Sequence, residues 1–317
     1  MKTAVIGLGL IGGSLLRALA AEGHDLTGFD ADPATRELAR AGGYRVADSV
    51  AEAIQDVEVT ALAVPLPVLP KVLAELAGHD GLVTDVTSVK GPVRDLMVAH
   101  GVRRFVGGHP MAGKEISGFA AADPDLFAGC AWVLCLEPHD TDLDDWMTLA
   151  RLFTAMGSRV VPVTASEHDT AVARISHVPH LFAATLARQL AGDPLAGALA
   201  AGSFRDGTRV AGTRAEMIAA MCGGNAEAVR TELRSLIGFL GELDALLASD
   251  DPVGAVIPPL HAAGELRRSW PPAPGEPEKM RVSIPALLEL GRAGGWVTSV
   301  DHDEVVVLRP QGDRKPA

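Results

Sequence analysis

Val5-Ile6-Gly7-Leu8-Gly9-Leu10-Ile11-Gly12-Gly13-Ser14-Leu15 decides how the chain folds. An apolar strand from Met1 runs into Gly7, and behind the glycines an Ala/Leu-rich run, Leu15 to Ala21, has the composition of a helix. In a strand, tight turn and helix with GxGxxG spacing, each glycine has its own task. Gly7 permits the sharp turn, Gly9 lets backbone approach a pyrophosphate, and Gly12 lets the helix pack close to the strand. The phosphates then meet the N–H groups that open the helix, around Leu10 and Ile11. A second strand, Asp25 to Asp30, ends in a carboxylate 18 positions after Gly12. That is close to where an acidic residue takes the two hydroxyls of an adenosine ribose, so the stretch predicts NAD rather than NADP. A structural glycine turn with Asp30 as an ordinary solvated carboxylate is the plainer reading. It leaves the common register of strand, helix, second strand and Asp30 unexplained.

Outward from the turn, strands alternate with helices. Pro33 to Ala41 and Val68 to Ala77 read as helices; Tyr44 to Ala47, Val57 to Val64, Leu82 to Val86 and Arg104 to Val106 read as strands. The alternation predicts a parallel, doubly wound α/β sheet of Rossmann type. Ala131 to Leu136 and Arg159 to Val163 would complete that sheet, with a helix from Asp144 to Met156 between them. Ligands of such sheets lie beyond the carboxyl ends of the strands, which marks Val64-Pro65, Asp85 to Lys90 and Gly107 to Met111.

From about Ala165 the pattern turns helical: Ser166 to Ala191, Pro194 to Ala201, Arg214 to Cys222 and Asn225 to Ala248. The last of these carries an apolar stripe, Val229, Leu233, Leu236, Ile237, Leu240, Leu243 and Leu247, that suits a core or a dimer seam. Pro258-Pro259 and Pro271-Pro272 make Asp250 to Pro277 read as an extended linker. Arg281 to Arg309 has room for a small helix and two short strands, or a late hairpin. The expected domains are an NAD-binding domain over 1–164, an all-helical substrate and dimerisation domain over 165–250, and a Pro-rich linker with a small C-terminal segment over 251–317.

Composition narrows the function. The 317 residues are 48% hydrophobic, enough for one large or two ordinary cores. No apolar run reaches the length of a membrane span and no basic cleavable signal opens the chain, so a cytoplasmic protein is expected. A net charge of −12 argues against nucleic acid and anionic membrane surfaces as partners. An anionic small-molecule substrate would then depend on a few local basic residues. Cys130, Cys135 and Cys222 are odd in number without CxxC spacing, which points to free thiols rather than a disulfide framework or zinc.

Among candidate chemical groups, His109 stands at a strand exit between glycines and Pro110, where an imidazole suits the acceptance of a hydroxyl proton during hydride removal. A loop histidine bonded to backbone is the equal alternative. Ser88, at the neighbouring exit, either orients substrate or imidazole or caps the next helix. Lys114 and Glu115 read as loop charges unless the cleft folds over them. His177 and His180 lie three apart on one helical face, but without the glutamate of HExxH or a Cys or carboxylate cluster, so no metal is expected and a satisfied histidine or a substrate contact fits better. Arg205 and Arg209 form a locally basic spot that suits a carboxylate, or pair with Asp206 and Glu216 on a helix surface.

Taken together, GLGLIGGSL (Gly7 to Leu15), DVTSVK (Asp85 to Lys90), GGHPMAGKEISG (Gly107 to Gly118), SHVPH (Ser176 to His180) and FRDGTRVAGT (Phe204 to Thr213) resemble the prephenate/arogenate dehydrogenase family of tyrosine biosynthesis. The resemblance covers about residues 1 to 250. It implies a Rossmann domain plus a helical domain that forms homodimers, with NAD as cofactor. It also implies His109 as catalytic histidine, Ser88 as cleft serine, Glu115 as gating glutamate, His180 as second histidine and Arg209 as carboxylate ligand, with Arg205 at a position often basic. The implied reaction is oxidative decarboxylation of prephenate to 4-hydroxyphenylpyruvate; arogenate and 4-amino-4-deoxyprephenate share the ring carboxylate and are the alternatives. The chain departs from many relatives at Ile218, where they carry a Trp, and in lacking a clear ligand motif of a regulatory domain in Arg281 to Arg309. Rival classes are a β-hydroxyacid-type dehydrogenase, which would need a catalytic Lys on the first helix of the second domain, and a non-catalytic NAD-sensing protein, which would show no turnover.

Overall fold

A computed structural model describes residues 1–311 of the chain, so the last six positions of the expected 251–317 segment lie outside the described residues. The chain forms two compact units. The first is Met1–Asp169 with Glu276–Arg309, and the second is helical, Thr170–Gly275.

In the first unit, β1 (Lys2–Ile6), β2 (Asp25–Phe29), β3 (Val59–Leu62), β4 (Leu82–Asp85) and β5 (Phe105–Val106) form a parallel sheet in the order β2-β1-β3-β4-β5. Alternate residues of β1 feed opposite faces: Val5 enters a core with Leu15, Leu16 and Leu19, while Ala4 and Ile6 enter another with Leu62, Leu73 and Val83. A sheet buried on both faces needs near-continuous apolar strands, as the sequence supplies. Tyr44 to Ala47, expected as a strand, contributes one isolated bridge between Gly28 and Val46.

The expectation that Ala131 to Leu136 and Arg159 to Val163 complete this sheet is corrected. The chain leaves β5 through Gly107 and starts β6 (Gly108–Pro110), which pairs antiparallel with β7 (Ala131–Cys135) in a second sheet. Gly108 makes the crossing possible, because a Cβ there would stand 2.6 Å from the Asp85 carbonyl oxygen. The second sheet continues through β8 (Arg159–Val163), parallel to β7, and takes in β9 (Glu278–Arg281), β10 (Trp296–Asp301) and β11 (Glu304–Leu308), in the order β6-β7-β8-β10-β11-β9. The C-terminal segment thus returns to the first unit. Its helix Ile284–Arg292 packs so closely on β8 that a Cβ at Gly291 would meet the Pro162 carbonyl oxygen at 1.8 Å. Trp132 stacks on Phe153 with ring centroids 3.9 Å apart, in a core shared with Leu287, Leu290 and Val305.

In the helical unit one reading holds and one is corrected. Ser166 to Ala191 is helical, as its period predicts, in consecutive pieces: Ala165–Val172, a π-helical turn Ala173–His177, Val178–Ala187 and a last turn Arg188–Leu190. Pro179 lacks the N–H that would reach back to Ile175 and its ring crowds that carbonyl, and the widened turn before it relieves both. Asp250 to Pro277 is not an extended linker throughout, since Pro252–Arg268 is a helix capped by Asp251. Pro252 sits in its first turn, where a missing N–H costs nothing, and the helix packs on the long helix Ala226–Leu247 despite Pro258 and Pro259 inside it. Val229 is buried with Leu233 and Leu236 against it, whereas Ile237, Phe239, Leu240 and Leu247 are exposed, as are Val253, Ile257, Leu260 and Leu266. No helix among the described residues is long and apolar enough to cross a membrane.

Candidate active site

The glycine turn has the shape its spacing implies. Gly7 has φ +95°, and a Cβ there would lie 2.5 Å from the Ala63 carbonyl oxygen; a Cβ on Gly12 would lie 1.8 Å from the Gly7 carbonyl oxygen. Gly9 differs, because a Cβ there would meet nothing within 4 Å. Its restriction to glycine is therefore not set by the protein's own packing, which suits a position kept open for a ligand. Gly9 opens the helix Leu10–Ala21 without a side-chain cap, leaving the first-turn N–H groups at Leu10, Ile11 and Gly12 oriented as an anion site. Asp30 follows β2, its carboxylate accepting N–H hydrogen bonds from Leu8 (2.7 Å) and Asp32 (2.9 Å). The Arg36 guanidinium is turned onto the Asp30 and Ala31 carbonyls. Val64 is half-buried and Pro65 exposed, both just past β3 on the same edge of the sheet.

A buried ion pair fixes the next exit. Lys90 and Asp85, with side chains 1% and 0% exposed, are bonded to each other. Lys90 Nζ also donates to the Gly108 carbonyl (2.6 Å) and Thr87 Oγ1 (3.1 Å), while Asp85 Oδ1 accepts from Gly108 N–H (3.1 Å). Both backbone groups of Gly108 are held by this pair, so the residue before His109 has one position. Ser88 is half-buried in the same turn but does not cap the following helix Gly91–Ala99. That role falls to Asp169, whose carboxylate accepts from the N–H groups of Lys90 and Gly91 at 2.8 Å each.

His109 is half-buried on β6, and its Nδ1 lies 2.8 Å from Nε2 of His168. His168 is buried, and its Nδ1 lies 2.8 Å from Asp169 Oδ1. Burial holds the His168 pKa below the ordinary value, helped by the Lys90 charge and opposed by Asp169 and Asp85. Burial alone would raise Asp169, but its bonds to His168 and to the Gly91 and Lys90 N–H groups bring it below the usual carboxylate range.

His168 and Asp169 were missed in the sequence, although a signal was present. Thr164 and Glu167 form a reciprocal capping box, Glu167 N–H to Thr164 Oγ1 (3.2 Å) and Thr164 N–H to Glu167 Oε2 (2.9 Å), directly after β8. A T-x-x-E after a parallel strand marks a strand exit, and His168-Asp169 follow it.

Glu115 is exposed on the loop after β6. That loop is tied to the first helix by Arg17, which donates to the Ala122 and Phe119 carbonyls, and by Ser14 Oγ, which accepts from Asp123 N–H. Within the helical unit, His180 Nδ1 donates to the Val210 carbonyl (3.2 Å), which brings it to the turn that carries Arg209. Arg209 and Arg205 are both exposed. His177 is buried, with the Asn225 amide 3.3 Å from its Nδ1.

A dinucleotide-type α/β unit with an imidazole at a strand exit, joined in sequence to a helical unit with an exposed arginine, defines a class of Rossmann-fold protein. The family model described as prephenate dehydrogenase, nucleotide-binding domain, matches residues 15–162, and that described as prephenate dehydrogenase, dimerization domain, matches residues 164–253. The chain belongs to the prephenate dehydrogenase family. It is similar to a prephenate dehydrogenase of Lactococcus lactis (34% identical over 226 residues, 66% of this chain and 61% of that one). It is also similar to a cyclohexadienyl dehydrogenase of Zymomonas mobilis (32% over 265 residues, 78% and 89%). Among solved structures, prephenate dehydrogenase from A. aeolicus in complex with hydroxyphenyl propionate and NAD+ matches with a TM-score of 0.77 at 26% identity, over 84% of this chain and 97% of that one. The chain spans about three fifths of the length of the Lactococcus lactis and Bacillus subtilis relatives that it matches.

Proposed function

We propose that the chain is an NAD-dependent prephenate dehydrogenase that converts prephenate to 4-hydroxyphenylpyruvate. The observation that carries this reading is His109, held at a strand exit of the unit that also presents the open Gly9 turn and Asp30. NAD fits the residues present: N–H groups at Leu10, Ile11 and Gly12 for the pyrophosphate, the Asp30 carboxylate for the ribose hydroxyls, and Val64-Pro65 at the adjoining exit. When bound, it supplies the hydride acceptor. His109 draws the proton from the ring hydroxyl, Arg209 holds a carboxylate with Arg205 adding positive charge, and Ser88, Glu115 and His180 contact or orient the substrate. Loss of CO2 restores aromaticity, so positioning and water exclusion are the protein's main tasks.

Asp30 and the inward-turned Arg36 leave a 2′-phosphate facing negative charge, so kcat/KM should favour NAD over NADP; equal values would remove Asp30 from the ribose site. The exposed apolar residues of Ala226–Leu247 and Pro252–Arg268 support a homodimer through the helical unit, in keeping with the matched dimerization domain. Light scattering should give twice the 32.9 kDa chain mass. The activity itself is tested by following NADH with prephenate, arogenate and 4-amino-4-deoxyprephenate. Prephenate should turn over with one 4-hydroxyphenylpyruvate per NADH, and turnover of neither prephenate nor its analogues would overturn the reading.

A further inference from the structure

We infer that His168, held by Asp169, is a positioning residue that sets the tautomer of His109 and so aims its proton-accepting nitrogen. The inference rests on His109 being the proton acceptor of the proposed reaction.

The positions of the hydrogens along Asp169, His168 and His109 follow from one another. An ionised carboxylate only accepts, so the 2.8 Å contact between Asp169 Oδ1 and His168 Nδ1 puts a hydrogen on that nitrogen. Asp169 does not turn away, because its two oxygens are also bonded to the N–H groups of Lys90 and Gly91 at the start of a helix. Neutral His168 then has a lone pair on Nε2. Nε2 is 2.8 Å from Nδ1 of His109, and a hydrogen bond between the two requires the hydrogen to be on His109 Nδ1. The nitrogen of His109 that carries the lone pair is therefore Nε2, at the far end of the ring. With the tautomer reversed, two lone pairs would face each other at 2.8 Å.

Burial favours the same arrangement, since a neutral His168 avoids desolvating a charge next to Lys90. The rings meet edge to face, at 74° with centroids 5.1 Å apart, so the bond also fixes the His109 ring plane. When His109 takes the substrate proton, it still donates through Nδ1, and the imidazolium is stabilised by a chain that ends in a carboxylate. Asp85 and Lys90 hold Gly108 from the backbone side, so His109 is fixed at both main chain and ring.

The test reads the tautomer directly. In the 15N–1H NMR spectrum of the full chain, with the His109 signals assigned by their loss in His109→Asn, wild type should carry the His109 hydrogen on Nδ1 at neutral pH. His168→Phe keeps a ring but has no acceptor, and should move that hydrogen to Nε2, the tautomer that histidine prefers in water. Its kcat should fall on the order of 10²-fold, toward the about 10² to 10⁴-fold cost of losing a general base, with KM and NAD affinity unchanged. His168→Gln, whose Oε1 can accept from Nδ1, should recover part of kcat. A purely packing role would instead let Phe do as well as Gln. A wild-type hydrogen on Nε2 overturns the inference without any variant having to fold, as does wild-type kcat in His168→Phe. If His109→Asn keeps its kcat, the proton-acceptor reading fails separately.

Discussion

At the scale of single residues, groups that bind differ from groups that hold. Arg209 is exposed on the turn that His180 bonds, and the proposed function gives it a substrate carboxylate rather than a part in hydride transfer. Arg209→Ala should raise KM by an amount equivalent to about 2 to 3 kcal/mol and lower kcat much less. An unchanged KM would leave Arg209 as a surface residue. Lys90 is the opposite case. It is buried against Asp85 and spans to Gly108, so Lys90→Met strands a carboxylate in the core and should cost about 3–5 kcal/mol in urea unfolding. The double variant Asp85→Asn with Lys90→Met should recover part of that loss. A loss under about 1 kcal/mol for the single change would mean that the pair behaves like a surface one.

At the scale of elements, the glycine turn offers a division between folding and binding. A Cβ at position 12 has backbone 1.8 Å away, whereas at position 9 it has open space. Gly12→Ala should lower Tm and weaken NAD binding together, with an overpacking cost of about 1–3 kcal/mol. Gly9→Ala should leave Tm in place while NAD affinity falls. If both lower Tm alike, Gly9 is a structural glycine and the open face has another cause. The strand, turn and helix at Lys2–Ala21, Asp30 and the exit carrying His109 were legible because each is a local pattern within a few residues. What was not legible depends on distance in the chain. His109 meets His168 across 59 residues, and the second sheet is completed by β10 pairing back onto β8, with β11 on β10, from the far end. Pro258 and Pro259 read as breakers, but the packing of Pro252–Arg268 on its neighbour outweighs their local preference. Thr164 to Glu167 is a local capping-box pattern that marks a helix start just past β8, and His168 follows it directly.

For the whole molecule, His168, which is buried, and His24 and His79, which are half-buried, tie stability to pH. His168 has its pKa lowered by burial from 6.5, and His24 and His79 shift the same way for the same main reason. The unfolded chain takes up protons at these positions below about pH 6.5 that the native state resists, so stability falls as pH drops through that window. Asp169, with its pKa lowered from 3.8, adds a further loss only in more acid solution. Thermal unfolding between pH 7 and 5 should show a falling Tm, and His168→Gln should flatten the slope without abolishing it. A wild-type Tm constant over that range would mean that His168 is not held neutral by burial. The proposed function rests on His109 as the group that takes the substrate's hydroxyl proton. The most direct test is the pH profile of kcat for NADH formation from prephenate, in wild type and in His109→Asn, with NAD affinity measured alongside. Wild-type activity should fall on the acid side as His109 protonates; His109→Asn should lose about 10² to 10⁴-fold in kcat, keep its NAD affinity and show no acid limb. If His109→Asn retains most of its kcat, or the acid limb persists in it and disappears only in His177→Asn or His180→Asn, the proton acceptor lies in the helical unit and the account is contradicted.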